Sequence, residues 1–469
     1  MTRSFRTLVA SLLLVAFTGA GCTKGPDAAT IQASKRVTLD VWGVVDDLDV
    51  YQAAFAAYRA EHPNVQINYK RLRVEEYESQ IVNALAEDRG PDIFLIHNDW
   101  VGKYLPKIVP MPAQTKIAYS IVTGTIQKQQ SWELHTDPTM PLKSFKDQFA
   151  DVVQKDALRT INVGTSDKPN YQERLLAMPL FVDTMALYYN KDLLNTAGIA
   201  TPPENWVDFK DQVVKLTKIG PDGKILKSGA GIGTVKNVDR GIDIATALMM
   251  QSGAPMSDAS GNPTFGMIPE ELSGQVDVPP AYRAIEFYTS FADPTKETYT
   301  WNDSMPNSLD AFLSNQTAFF FGYSYYYDLI RARAPKLNLG LSKLPQIENN
   351  PVKNVANYWM WAVSKKSKSS DQAWHLLNFL AKSDNMKKLS VVAKRPPARK
   401  ALLPDLLNDE RLGVFASQVL TATTWYRGND PQTMEAAFGE MLETAASSTL
   451  LIPRAVKDAA DKISQTVTN

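Results

Sequence analysis

In Gly90-Pro91-Asp92-Ile93-Phe94-Leu95-Ile96-His97-Asn98-Asp99-Trp100 a helix stop runs straight into a strand. Gly90-Pro91 ends the preceding helical pattern, and the unbroken apolar run after it is that of a strand buried on both faces. Polar and aromatic groups then crowd its carboxyl end. Upstream, Val37, Leu39 and Val41 alternate with Thr38, Asp40 and Trp42 at strand period, and Tyr51, Ala54, Phe55 and Tyr58 recur at helical spacing. Val65, Ile67 and Tyr69 alternate again, and Tyr77, Ile81 and Leu85 mark a second helix. The order β-α-β-α-β predicts a mainly parallel sheet flanked by helices, because parallel neighbours need crossover connections. In such sheets ligands bind beyond the carboxyl ends of the strands. Those ends carry Trp42, Asp46 and Asp47 on one strand and Asn98, Asp99 and Trp100 on another.

Strand character restarts in Met178-Pro179-Leu180-Phe181-Val182-Asp183-Thr184 and again in Ala186-Leu187-Tyr188-Tyr189-Asn190-Lys191. Trp206, Phe209, Val213 and Leu216 follow at helical spacing, and Gly220-Pro221-Asp222-Gly223 is a turn by composition. A second α/β unit therefore begins near residue 178. Trp374, Leu377 and Leu380 mark a later helix; Phe438, Met441, Leu442 and Ala445, then Val456, Ala459, Ala460 and Ile463, mark two more. Trp206 and Trp374 fall on apolar helical faces and read as core. Residues 101–176 are mixed and proline-spotted, with an amphipathic helix expected over 145–158 and peripheral packing elsewhere.

At the start of the chain Arg3 and Arg6 precede an apolar run over 8–17, and Gly19-Ala20-Gly21 leads into Cys22, the layout of a secretory signal. That run is too short to span a bilayer. Small residues ending at a cysteine resemble a lipobox, where bacterial lipoproteins are diacylated on sulfur and cleaved, although Gly19 stands where leucine is usual. Cys22 is the only cysteine, so an internal disulfide is excluded. Residues 1–21 are read as signal peptide and 22–36 as lipidated cysteine plus flexible tether, the residues after Cys22 being small and polar. No later segment approaches the roughly 18 apolar residues of a membrane span, so the body is expected outside the membrane, at the cell surface or in the periplasm.

The 469 residues exceed what one core usually serves, which predicts two domains. Hydrophobic residues at 44% and charged residues at 21% describe a folded body rather than a disordered one. Basic and acidic residues balance at 50 each, leaving no excess of positive charge for nucleic acid. His62, His97, His135 and His375 form no H-E-x-x-H spacing, and neither a nucleophile elbow nor a P-loop is present, so no enzyme activity, metal or cofactor is expected.

Taken in order, these segments resemble extracellular solute-binding proteins of the family that includes maltose-binding protein, over nearly all of 37–469. Gly90 to Phe94 with Asp99-Trp100 resembles the family's third strand and pocket loop. Pro179 through Lys191, Ala197-Gly198-Ile199 and Pro202-Pro203-Glu204-Asn205-Trp206 resemble its most recognisable stretch. The segment from Phe312 to Gly322 resembles the one ending in a glycine and a pocket aromatic, and Trp361-Ala362-Val363-Ser364-Lys365 the strand before a lobe-one helix. Asn315-Gln316 replaces a frequent Gly-Lys pair, and Tyr323-Ser324-Tyr325 stands where many relatives carry tryptophan. The resemblance implies a two-lobed periplasmic-binding-protein fold with a ligand cleft between lobes, acting as a monomer beside an ABC permease. It implies three crossings, expected near 177–179, 344–345 and 395–397, each of which contains proline. Lobe one would comprise 37–176 and 345–394, and lobe two 177–344 and 395–469.

A carbohydrate offers hydroxyls around an apolar ring face, so its site wants flat aromatics with carboxylates or amides. Asp46, Asp47, Asn98, Asp99 and Asp183 are the expected hydroxyl partners; Trp42, Trp100, Tyr323, Tyr325 and Trp359 are the expected platforms. Arg395 contacts either ligand or the opposite lobe. Each has a duller reading, since aspartates after strands often cap helices and strand-end tryptophans are often core. Three rival functions stand beside sugar capture: a glycosidase using Asp46, Asp47 and Asp99, a ferric-ion binder using Tyr325-Tyr326-Tyr327, and a structural envelope lipoprotein.

Overall fold

The alternation at 37–42 becomes the strand Val37–Gly43, with Leu39 and Val41 inward and Thr38 and Asp40 in water. It is parallel to both Val65–Arg71 and Ile93–His97, as the crossover helices Leu48–Glu61 and Val74–Ala86 require. Tyr77, Ile81 and Leu85 are the buried stripe of the second helix. The chain returns much later as Trp359–Ser364, which joins Ile93–His97 antiparallel, so the first sheet is mixed. This computed structural model describes residues 27–123 and 129–467.

A second mixed sheet is centred on Thr317–Gly322, buried along its whole length and parallel to Ile225–Ala230 on one side. On the other side Ala186–Asn190 runs antiparallel to it and to Leu339–Lys343. Gly223 takes φ 78° in the turn before Ile225, a left-handed conformation that favours glycine. Trp206, Phe209, Val213 and Leu216 form the buried face of Trp206–Leu216, and Trp374 is fully buried in the first lobe. Each sheet has its own core, so the molecule is two lobes. No helix among the described residues is long and apolar enough to cross a membrane.

Core membership dates each crossing. Val182 belongs to the first core and Met185 to the second; Val355 to the second and Ala356 to the first; Ala422 to the first and Trp425 to the second. At those changes of core stand Asp183–Thr184, Asn354–Asn357 and Ala422–Thr423, three short strands abreast with Asn354–Asn357 in the middle. The proline-containing positions expected to be crossings are not the ones used. Pro179 lies in the first sheet, Leu344 in the second core, and Ala398, Leu402 and Leu403 after Pro397 in the first core. The physical reason is the hinge ladder itself: proline has no N–H to donate to a paired strand. Residues 395–406 therefore pack with lobe one, whereas Leu412–Ala416 bridges the lobes, Ala416 lying in the first core and Phe415 against Tyr188 of lobe two.

Two further expectations change. Within the tether, Ala28–Ala33 is a helix capped by Asp27, whose carboxylate accepts from Thr30 N at 2.7 Å; Asn64 Nδ2 donates to Ala33 O and ties it down. The helix expected over 145–158 is two, Leu142–Gln148 and Asp151–Ala157, because Ala150 N leaves the helical ladder to bond Ala398 O. On lobe one Gln114–Thr123 pairs antiparallel with Gln129–Pro138, and Leu158–Asn162 with Tyr171–Leu175. Cys22 lies outside the described residues.

Candidate ligand site between the lobes

Two of the three hinge strands, Asn354–Asn357 and Ala422–Thr423, line a cavity of about 230 Å³ whose walls come from both lobes. Lobe one contributes His97, Asn98 and Asp99, where the strand Ile93–His97 gives way to a single 3-10 turn. Asn98 is fixed by paired bonds with the hinge backbone: its N donates to Tyr358 O at 3.0 Å and its Oδ1 accepts from Tyr358 N at 3.2 Å. Lobe two contributes more, notably Arg240, Asp243, Tyr323, Trp425 and Glu435.

Arg240 opens the helix Gly241–Gln251 with φ 58°, a left-handed backbone that costs a side-chain-bearing residue about 1–2 kcal/mol. The turn aims its guanidinium at Asp243, whose Oδ2 accepts from Nε at 2.7 Å and Nη2 at 2.5 Å. The same oxygen accepts from the Tyr323 hydroxyl at 2.5 Å. Burial opposes the charge on Arg240, but Asp243 and Tyr323 outweigh it and raise its pKa further. Across the cleft His97 Nδ1 bonds Asp99. Burial works against the imidazolium, yet Asp99 and a bond to Asn357 prevail and hold the His97 pKa above its ordinary value. Burial pushes the Glu435 carboxyl up, Asp99 adds to it, and Arg240 opposes it ahead of a smaller push from Asp243.

Of the residues expected at the site, Asn98, Asp99 and Tyr323 line the cavity. Trp100 and Trp359 sit behind it, edge to face at 5.2 Å, with Trp359 also edge-on to His97 at 5.2 Å. Trp42 is half-buried beneath the Lys70 ammonium at 4.4 Å. Asp46 is buried against Arg395 and accepts from Tyr51 Oη at 2.6 Å, so neither Asp46 nor Arg395 reaches the cavity. Asp47 holds the helix-cap position but is exposed, its oxygens on Arg71 Nη1 at 2.7 Å. Tyr325, 44% exposed, starts the helix Tyr325–Arg333, lies tilted against Tyr326 and stacks on the cavity residue Tyr323 at 6.4 Å without lining the cavity itself. The carboxylates of the glycosidase alternative thus do not converge, since Asp46 and Asp47 are held by arginines away from Asp99. Among the described residues no group of three His, Cys, Asp or Glu is placed to hold a metal.

Asp183 belongs to the hinge. It is buried and accepts from Ser324 N, Ser324 Oγ at 2.7 Å and Thr184 N at 3.0 Å. Burial outweighs these bonds and raises its pKa from 3.8 to about 6. The folded chain therefore holds this proton more tightly than the unfolded one. Stability from Asp183 is greatest below pH about 4 and falls by about 3 kcal/mol as pH rises to about 6. Subtracting the stability–pH curve of Asp183→Asn from that of the wild type should leave this downward step; a flat difference would refute it.

Two lobes, three side-by-side crossings and a cavity above the hinge define a two-lobed binding protein. The family model described as bacterial extracellular solute-binding protein matches residues 44–387, and the chain belongs to that family. The galactooligosaccharide-binding protein of Bacillus subtilis (strain 168) is 21% identical over 392 residues, 82% of this chain and 78% of that one. Among solved structures, the cyclic α-maltosyl-1,6-maltose binding protein of Arthrobacter globiformis superposes with TM-score 0.69 at 16% identity, covering 92% of this chain and 99% of that one. A solute-binding protein of an ABC transporter from Thermotoga lettingae, bound with α-D-tagatose, gives 0.66 at 17% identity, covering 92% and 100%.

Proposed function

We propose that this protein captures a carbohydrate, or a similar polar small molecule, between its lobes and delivers it to an ABC permease in the membrane. The observation that carries this reading is the hinge: three crossing strands abreast, two of them lining a cavity walled by both lobes. Two rigid bodies so joined rotate about one line, and a ligand touching both favours closure only through its extra contacts in the closed form. The wall suits a sugar, with Asp99 and Asn357 for hydroxyls and the rings of Tyr323, Trp425 and Tyr426 for apolar faces. The relatives named above bind a galactooligosaccharide, a cyclic maltosyl-maltose and tagatose, which supports the same class here.

Residues 23–469 screened by thermal shift against mono-, di- and oligosaccharides, polyols, amino acids and ferric citrate should respond to related sugars alone. At about a hundredfold excess over Kd the gain is about 2.7 kcal/mol, a few degrees in a chain of this size. Compaction in small-angle scattering should accompany it. A response to ferric citrate or to no compound would overturn the sugar reading. Diacylation of Cys22 holds the protein beside its permease. Cys22→Ser should move the protein from the membrane fraction to the soluble one; unchanged membrane retention would sink the anchor.

A further inference from the structure

The charges on the cavity wall discriminate among carbohydrates. They fall into two internal pairs and one surplus. Arg240 is committed to Asp243, and His97 to Asp99. Glu435, on the lobe-two helix Pro431–Ser447, lines the same cavity with no hydrogen-bond or ion-pair partner among the described residues. Its side chain is open to the water of the cleft, yet enough protein surrounds it to disfavour its charged form.

Asp99 from lobe one faces Asp243 and Glu435 from lobe two; Arg240 and His97 stand among them and offset part of the repulsion, but the five groups together leave one negative charge in surplus. Like charges brought together while water leaves repel more strongly, so closing this cleft on a neutral ligand works against its own wall. A hydroxyl gives Glu435 a donor without a compensating charge. An ammonium gives three donors and a full positive charge. An acidic sugar fits worse, because the guanidinium that would receive it already holds Asp243.

Resting on the carbohydrate reading above, we infer that the ligand is a cationic sugar, a mono- or oligosaccharide carrying a free primary amine, with its ammonium seated between Glu435 and Asp99. The ring lies against Trp425 and Tyr426, and its remaining hydroxyls meet Asn357 and Thr424. The amine therefore acts in two ways: it supplies affinity, and it removes the repulsion that holds the lobes apart.

The test is calorimetric titration of residues 23–469, at neutral pH and low salt, with glucosamine and its oligomers of two to four rings. Each is set against the N-acetylated and the hydroxyl counterpart of equal ring number. The amine should bind at least about tenfold tighter than either neutral counterpart, and added salt should erode that preference. Glu435→Gln, which keeps the shape and removes the charge, should cut the ratio of amine to neutral affinity severalfold, whatever it does to the neutral sugars alone. Neutral sugars binding as tightly as the amines, or an undiminished preference in Glu435→Gln, would overturn the cationic ligand and leave the carbohydrate reading standing. Binding by no sugar of either charge would overturn both.

Discussion

Asp46→Ala lowers the free energy of unfolding by about 3–5 kcal/mol and leaves ligand affinity within about threefold, because the Asp46 carboxylate serves the fold rather than the cleft. Both members of the Asp46–Arg395 pair are buried, and the guanidinium also lies over the Phe181 ring at 4.4 Å. Truncating Asp46 strands Arg395 in the first core, and Tyr51 Oη loses its acceptor. An unpaired buried charge costs far more than the net worth of a pair, so the double variant Asp46→Leu/Arg395→Met should recover most of the loss. Urea unfolding of the two single variants and the double variant measures this directly. Affinity lost with stability intact would return Asp46 to the ligand.

Asp46 also shows why the lobes were more legible than the site. Strand and helix periods are local, and Tyr77, Ile81 and Leu85, or Trp206, Phe209, Val213 and Leu216, carry them in consecutive turns. A charge beyond a strand end looks the same whether it meets a ligand or an arginine 349 residues away. Asp99 and Asp46 were indistinguishable on that ground, and tertiary structure separates them. Arg240, Trp425 and Glu435 reach the cavity from segments with no local mark of function. The one physical sign at Arg240, its positive φ, is a property of the backbone. A polar loop, Asn237-Val238-Asp239-Arg240, opening an apolar helix at Gly241 was the available signal. The crossings failed for another reason. Proline suggests a rigid joint, but the joint here is a hydrogen-bonded ladder, further fastened by Asn354 Nδ2 donating to Met185 O at 2.8 Å and Gln418 Oε1 at 2.7 Å.

Asp99→Ala weakens ligand binding by about a hundredfold and abolishes compaction while weak binding persists. The cavity is asymmetric: lobe two supplies Arg240, Asp243, Tyr323, Trp425 and Glu435, whereas the charged groups of lobe one are His97 and Asp99. A ligand therefore docks first on lobe two, and lobe one adds the contacts that exist only when the cleft shuts. Closure is driven by the difference in affinity between the two forms, not by affinity as such. Removing Asp99 deletes the acceptor that lobe one offers and leaves His97 without its carboxylate. Losing one member of a desolvated, hydrogen-bonded charge pair costs about 2–5 kcal/mol, and 1.4 kcal/mol is tenfold in Kd. Titration at high ligand concentration should still saturate the variant through lobe two, with a scattering profile that stays at the unliganded radius. A variant that compacts like the wild type would place the closing contact elsewhere, on Asn98 or the hinge strands, and would separate the ion pair at 97–99 from the motion.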